Sequence, residues 1–359
     1  VESQTQAVDA AARLALGAEL PSHKDPVSTS TLPQAAASVV AVKVPEKLSG
    51  LGDESTESAQ PISELPLILY AYSESETART NIEFFIRHGL HAAADFVFIL
   101  NGPTDVANII PKESNIHIVQ RKNDCYDIGA YAEVLTKDNL YKGYKRFIML
   151  NASIRGPFLP YWAKGCWSDM YLGRITDEVK LVGMTANCWP TFHVQSMIWA
   201  TDIHGLNALL FPTKEALAAY ALDPPKSAEK DPEKRAKAPK QAPGINSCFH
   251  TWITAVTAEV GASSLIKAAG YKLDVMMSAY HGTERFEEVC DSSENADVLW
   301  DKEYFGTNVH PFETVFIKSN RDIDPVGLER HTEWMRGRGY SSYQYCKAME
   351  SPWIAGGSI

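Results

Sequence analysis

Four short apolar runs, each ending in polar residues, constrain this chain more than any other feature. They are residues 65–72 (LPLILYAY), 96–102 (FVFILNG), 116–121 (IHIVQR) and 145–153 (KRFIMLNAS). Apolar runs this short, bounded by turn-forming residues, read as strands buried on both faces. Between the first two, Ile82, Phe85, Ile86 and Leu90 fall at helical spacing, and DIGAYAEVLT (127–136) opens a second helix. Strand alternating with helix predicts a parallel sheet with right-handed crossovers, hence an α/β fold. Further strands are expected at 180–187, 194–200 and 271–277, with helices over 206–221 and about 251–269, the latter capped by Gly270. Residues 282–303 read as an acidic, irregular connection, and 309–321 return to apolar and aromatic content.

The flanks behave differently. Residues 1–60 are rich in Ser, Thr, Pro and Ala and lack aromatics. Such a segment cannot bury enough surface to offset its ordering entropy, so a disordered tail or stem is expected there. The run DPPKSAEKDPEKRAKAPKQAP within 222–243 lacks apolar periodicity and reads as a mobile insertion. The domain is therefore expected over 61–325, with 326–359 as a C-terminal extension. No stretch reaches the roughly 18 apolar residues of a bilayer span, and a membrane enters only through an anchor lost before residue 1. The formal net charge is −10, which argues against a broad nucleic-acid surface. The six cysteines form no CxxC and no zinc-ligand spacing with histidine; disulfides and buried free thiols both remain open.

In open α/β sheets ligands bind beyond the carboxyl ends of the strands. That rule selects Tyr72, Ser73 and Glu74, then Asn101 and Gly102, then 121–131 (RKNDCYDIGAY), then 151–157 (NASIRGP). Asp127 is expected to cap the helix that starts there, and Gly129 to let its first turn approach a ligand. No GxxxxGK[ST], GxGxxG or GxSxG is present, which disfavours a P-loop NTPase, a dinucleotide dehydrogenase and an α/β-hydrolase. A nucleotide-sugar enzyme is the α/β candidate these absences leave. The sequon Asn151-Ala152-Ser153 ends a buried strand and reads as part of the site rather than a glycan acceptor.

Four runs carry a resemblance. Asn123-Asp124-Cys125-Tyr126-Asp127-Ile128-Gly129-Ala130-Tyr131, followed by residues 147–157 (FIMLNASIRGP), resembles the rhamnan synthesis protein F group of glycosyltransferases. Residues 258–263 (AEVGAS), with Gly270 and Tyr271 beyond, are similar to a third pattern of that group. His310-Pro311-Phe312-Glu313 with Phe316-Ile317-Lys318 resembles its C-terminal element. The similarity spans about 65–321. It implies a GT-A-like, Rossmann-type, mostly parallel sheet flanked by helices. It also implies transfer of a hexosyl or deoxyhexosyl group from a nucleotide-diphosphate sugar to a glycan hydroxyl, in polysaccharide biosynthesis. In a eukaryote the compartment implied is the Golgi or secretory lumen, otherwise the cytoplasm.

The strand-end rule supplies Tyr72 and Asn101 as donor-lining candidates, and the resemblance implies that Asp124, Asp127, Gly129, Asn151, Ser153, Arg155 and Lys318 join them. Glu259 is the expected acceptor base or sugar ligand, with Asp127 orienting the donor; His250 and His281 are weaker candidates. Many GT-A enzymes hold Mn²⁺ or Mg²⁺ on the diphosphate with a D-x-D, but here that place reads Asn151-Ala152-Ser153. Neutral oxygens hold hard cations less well than carboxylates. Two alternatives stay open: a cation held by His310 with Glu313 and the donor phosphates, or diphosphate charge met by Arg155, Lys318 and Arg321. Trp189, Trp199 and Tyr280 are candidates for stacking on a sugar, although aromatics at such places more often pack the core. The competing readings are a non-catalytic carbohydrate-binding or scaffold protein on the same fold, and another nucleotide-using α/β enzyme such as a nucleotidyltransferase.

Overall fold

The computed structural model describes residues 62–163, 165–220, 243–293 and 296–337, together with 342 and 346. The expected tail at 1–60 and all of the expected insertion except Pro243 lie outside the described residues. In chain order the elements begin with β1 (Leu67–Ser73), α1 (Glu76–His88), β2 (Asp95–Asn101), β3 (Ile116–Arg121), α2 (Tyr126–Thr136), β4 (Arg146–Asn151) and β5 (Ile154–Arg155). Next come α3 (Trp167–Leu172), β6 (Val179–Gly183), β7 (Ala186–Asn187), β8 (His193–Val194), β9 (Ile198–Asp202), α4 (Ile203–Leu210) and α5 (Lys214–Ala219). The chain continues through α6 (Trp252–Ala268), β10 (Lys272–Val275), α7 (Ser278–Gly282), α8 (Phe286–Val289), α9 (Pro311–Thr314), β11 (Ile317–Lys318) and α10 (Pro325–Gly337).

The fold is α/β, with a mostly parallel sheet of seven strands ordered β10-β6-β9-β4-β1-β2-β3 and flanked by helices, as expected. β1 is buried along its length up to Ser73 and pairs in parallel with both β2 and β4. Its apolar run is therefore covered on both faces, which is what an unalternating strand requires. α1 is started by Ser75, whose hydroxyl accepts from the Ala78 N–H at 3.1 Å, and it carries Glu76 in the first turn and Arg87 and His88 in the last. These placements complement the helix dipole. Its buried face presents Ile82, Phe84 and Phe85 to the sheet, where Phe85 meets Tyr70, Phe98 and Trp167.

Three expectations are corrected. The strand expected at 194–200 is two strands, β8 and β9, and β9 runs antiparallel to β4 and β6; apolar content alone carries no direction. The strand expected at 180–187 likewise divides into β6 and β7. The helix expected over 206–221 is α4 and α5, interrupted at Phe211 and Pro212 because proline lacks the N–H that would continue the helix. All six cysteines pair, as Cys125–Cys248, Cys166–Cys346 and Cys188–Cys290, so the free-thiol alternative falls.

A two-stranded ribbon positions the site. β5 follows β4 after a short turn and pairs antiparallel with β11, placing Lys318 opposite Ile154. The ribbon is locked to α1 by Asn81, which donates to the Ala152 carbonyl at 2.8 Å and accepts from Arg155 Nε at 3.0 Å.

Candidate functional site

The carboxyl ends of β1, β2, β3 and β4 lie along one edge of the sheet, since all four are parallel. The loop before α2 folds over this edge. Cys125 and Tyr126 adopt left-handed φ values of 70° and 55°, a conformation that costs non-glycine residues about 1–2 kcal/mol each. The Cys125–Cys248 disulfide and a β-bridge from Cys125 to Phe249 hold them there. This turn starts the helix at Tyr126 rather than Asp127, so Asp127 is not the expected N-cap. One Asp127 oxygen accepts from the Ile128 N–H at 2.9 Å, and the other accepts from the Asn151 side-chain amide.

Asn151 turns its carbonyl oxygen to Ser153, accepting from the backbone N–H at 3.1 Å and the hydroxyl at 2.5 Å. Lys318 Nζ in turn donates to Ser153 Oγ at 3.0 Å. Four expected residues, Asp127, Asn151, Ser153 and Lys318, thus form one hydrogen-bonded chain across α2, β4 and β11. Glu259 reaches the same place from α6 and accepts the Ser196 N–H at 2.7 Å. Burial pushes the Asp127 carboxyl up; Asn151 opposes this and the neighbouring Glu259 charge adds to it. Burial, with Arg321 adding, brings Lys318 down to about 8, against the pull of Glu259, Asp127 and Asp297.

The sequence reading missed Asp297. It pairs with Arg321 at 2.6 Å and accepts from Gln195 Nε2 at 3.1 Å, extending the cluster toward β8. Burial alone would raise the Asp297 carboxyl, but Arg321, the Leu299 N–H and Gln195 hold it below its ordinary range. Asp297 sits in the acidic stretch read as irregular, where nothing separates a buried acid from solvated ones. Arg321 also lies over the Trp300 ring, 4.5 Å from its centroid, and its Nε has no hydrogen-bond partner among the described residues.

The other expected residues are placed as follows. Tyr72 is buried at the end of β1 beside Glu74, which accepts from Thr104 Oγ1 at 2.5 Å and from Arg79 at 2.6 Å. Asn101 accepts from Arg121 at 2.6 Å, and Arg121 also donates to the Asp124 carbonyl at 2.7 Å. Asp124 is exposed and pairs with His250 at 3.0 Å; the Cys125 N–H, then His250, hold its carboxyl below the usual range. Gly129 lies directly beneath the 243–251 segment, where a Cβ would meet the Ser247 carbonyl at 2.7 Å. Arg155 turns away from Asp127: its guanidinium is buried and donates to Asn81 and to Thr332 Oγ1 at 3.0 Å, docking α10.

His310 caps α9, accepting from the Phe312 N–H at 3.1 Å, and packs 4.8 Å from the His331 ring. Glu313 points elsewhere, accepting from the Ser278 N–H at 2.6 Å and the Tyr304 hydroxyl at 2.5 Å. The structure therefore does not bring His310 and Glu313 together. Among the described residues, the groups with metal-ligand proximity are two disulfide pairs with a neighbouring His91 or Asp124, and thiols spent in disulfides are poor ligands. Trp199 is fully buried, while Tyr280 is half-buried and stacks on Phe192. His281 is held by Arg174 and Asp274 near β10.

No protein-family profile and no curated protein matches the sequence. Among solved structures, the chain is similar to glycosyltransferase GlyE from Streptococcus pneumoniae TIGR4, with a TM-score of 0.38 and 9% identity over 80% of this chain and 67% of that one. The apo form of the same protein gives a TM-score of 0.27 and 10% identity over 39% of this chain and 34% of that one. The chain thus spans about a third of the apo-form structure's length in that match.

Proposed function

We propose that this chain is a glycosyltransferase of the GT-A type, using a nucleotide-diphosphate sugar. The observation that carries the reading is the continuous chain Asp127–Asn151–Ser153–Lys318 at the carboxyl edge of a mostly parallel sheet, with Glu259 beside it. Ligand sites of open α/β sheets lie at this edge. In this reading Asp127 and Asn151 orient the donor sugar, and Lys318 and Arg321 face the diphosphate. The bond from the anomeric carbon to the phosphate oxygen breaks while one to the acceptor oxygen forms. For an inverting reaction, Glu259 accepts the acceptor hydroxyl's proton.

The donor set at 151–153 fits a resident divalent cation poorly. Its oxygens are neutral, and the Lys318 ammonium already donates to Ser153. Preorganised cations suit a departing diphosphate without a metal, so Lys318 and Arg321 are assigned that charge. Three disulfides favour an oxidising compartment, in keeping with a secretory or Golgi lumen.

The test is a thermal-shift panel of UDP-, GDP- and dTDP-sugars, run with Mn²⁺ and with EDTA, since native-state binding raises apparent stability. One donor should stabilise the protein in both conditions. Asp127→Asn or Asn151→Ala should weaken it about tenfold to a hundredfold, the range for a lost hydrogen bond to a charged group. Unchanged affinity in both variants sinks the assignment. The neutral 151–153 set also favours a second reading, a carbohydrate-binding protein that has lost catalysis; donor binding with no donor hydrolysis selects it.

A further inference from the structure

A separate feature lies on the far side of the β5–β11 ribbon. A groove of about 540 Å³ runs between the 160–162 segment and α10, walled by Tyr161, Trp162, Phe312, His331 and Trp334 over Pro160 and Met335. Tyr161, Trp162 and Trp334 are 83%, 68% and 63% exposed. Large rings left together in water mark a binding surface, since single exposed apolar residues are ordinary but clusters are not. The volume falls in the range of small-ligand sites, roughly 300–1,000 Å³.

The lining says what kind of ligand fits. Among the described residues it holds no Lys, Arg, Asp or Glu and no branched aliphatic side chain. Burial, with His310 nearby, lowers the His331 pKa, so its imidazole is neutral near pH 7. His331 meets Phe312 and Trp334 at 67° and 89°, so neither contact is a face-to-face stack. Flat rings and a neutral imidazole suit a ligand with apolar faces and no net charge. A phosphate or an anionic membrane surface would call for basic groups, and the described lining residues include none.

The groove is also fixed in place. Arg155 fastens α10 through Thr332, Arg87 donates to the Arg336 carbonyl at 3.2 Å, and Cys346 is bonded to Cys166, just past Trp162. A preformed site loses little to ordering on binding. Both walls continue segments of the charged cluster: the chain runs from Asn151 and Ser153 to Tyr161, and from Phe312 to Lys318.

We propose that this groove binds a neutral glycan chain, with sugar rings stacked on Trp162 and Trp334 and lying against the His331 imidazole. The probes are linear gluco-, manno- and rhamno-oligosaccharides, titrated against tryptophan fluorescence without any nucleotide sugar, so failure of the donor reading leaves this result standing. At least one should bind saturably. Trp162→Ala or Trp334→Ala should weaken it about tenfold, near 1.4 kcal/mol, while leaving the far-UV spectrum unchanged. Because both rings are exposed, neither variant removes core packing. His331→Ala should weaken binding as well. Absence of binding to every oligosaccharide overturns the proposal, as does binding that neither tryptophan variant weakens. Self-association or adsorption to phosphatidylcholine vesicles that Trp334→Ala abolishes, without saccharide binding, assigns the groove to another occupant.

Discussion

At Lys318 the ammonium is buried against Ser153, and its pKa falls from an ordinary 10.5 to about 8. Folding therefore disfavours the charged form. Between about pH 8 and about pH 10.5 the unfolded chain binds a proton that the folded chain has released, so this group's contribution makes stability rise with pH across that window. Phosphate binding has the opposite dependence, because the neutral amine offers no charge. We predict that nucleotide-sugar affinity falls as pH rises through about 8, and that Lys318→Met removes both trends. Calorimetry of donor binding and urea unfolding across this range check the two signs; donor affinity that is flat with pH would remove Lys318 from the phosphate site. At this scale Asp127, Asn151 and Ser153 were legible because polar residues beyond the ends of buried strands are conspicuous, whereas Lys318 was reached only through the resemblance of the C-terminal element. Asp297 and Gln195 were not, since their partners are set by how remote loops pack. Arg155 shows the reverse failure: its position beside the site was legible, but its burial under α10 was not.

The turn before α2 shows how elements cooperate. Gly129 faces the Ser247 carbonyl and the Cys125 Cβ at 2.7 and 2.8 Å from where a Cβ would sit. Alanine gains about 1 kcal/mol of helix propensity, but overpacking against a backbone carbonyl costs about 1–3 kcal/mol. Gly129→Ala should therefore be net destabilising, on the order of 1 kcal/mol, by urea denaturation; a stabilised variant would mean the 243–251 segment moves freely. The Cys125–Cys248 bond closes a loop of 123 residues and ties that segment to the strained turn. Its removal in Cys248→Ser should cost about 2–5 kcal/mol and weaken donor binding, because Asp124–His250 and the turn lose their common tether. Donor affinity retained after this loss would show that the turn holds its shape alone. Element type was largely legible from apolar runs, whereas the antiparallel course of β9 was not, since direction depends on loop geometry. The cysteine spacings likewise do not encode a pairing, which is set by how the segments outside the sheet that carry them pack together.

For the whole molecule, the order of strands and helices follows from alternating buried runs, and the α/β class was legible from the sequence for that reason. The boundary near 325 is a different matter, because α10 and, beyond it, Ser342 and Cys346 are fastened to the domain. Thr332 and Met335 are buried, Arg155 donates to Thr332, Ser342 donates to the His88 carbonyl and Cys346 bonds Cys166. At the other end the sheet begins with a bridge from Ser63 to Tyr144, and β1 completes its pairing with β2 and β4. Two truncations should therefore behave oppositely. A chain starting at Ile62 should keep the same Tm and the same donor shift. A chain ending at Asp324 loses a disulfide worth about 2–5 kcal/mol and the burial of Met335, worth about 1.5–3 kcal/mol. It also strands a buried guanidinium, at about 1–3 kcal/mol. That sum is comparable to the roughly 5–15 kcal/mol of a whole domain, so the shortened chain should be unfolded or nearly so by circular dichroism. If it instead melts near the full chain's Tm, α10 is an appendage and the groove it walls cannot be preformed.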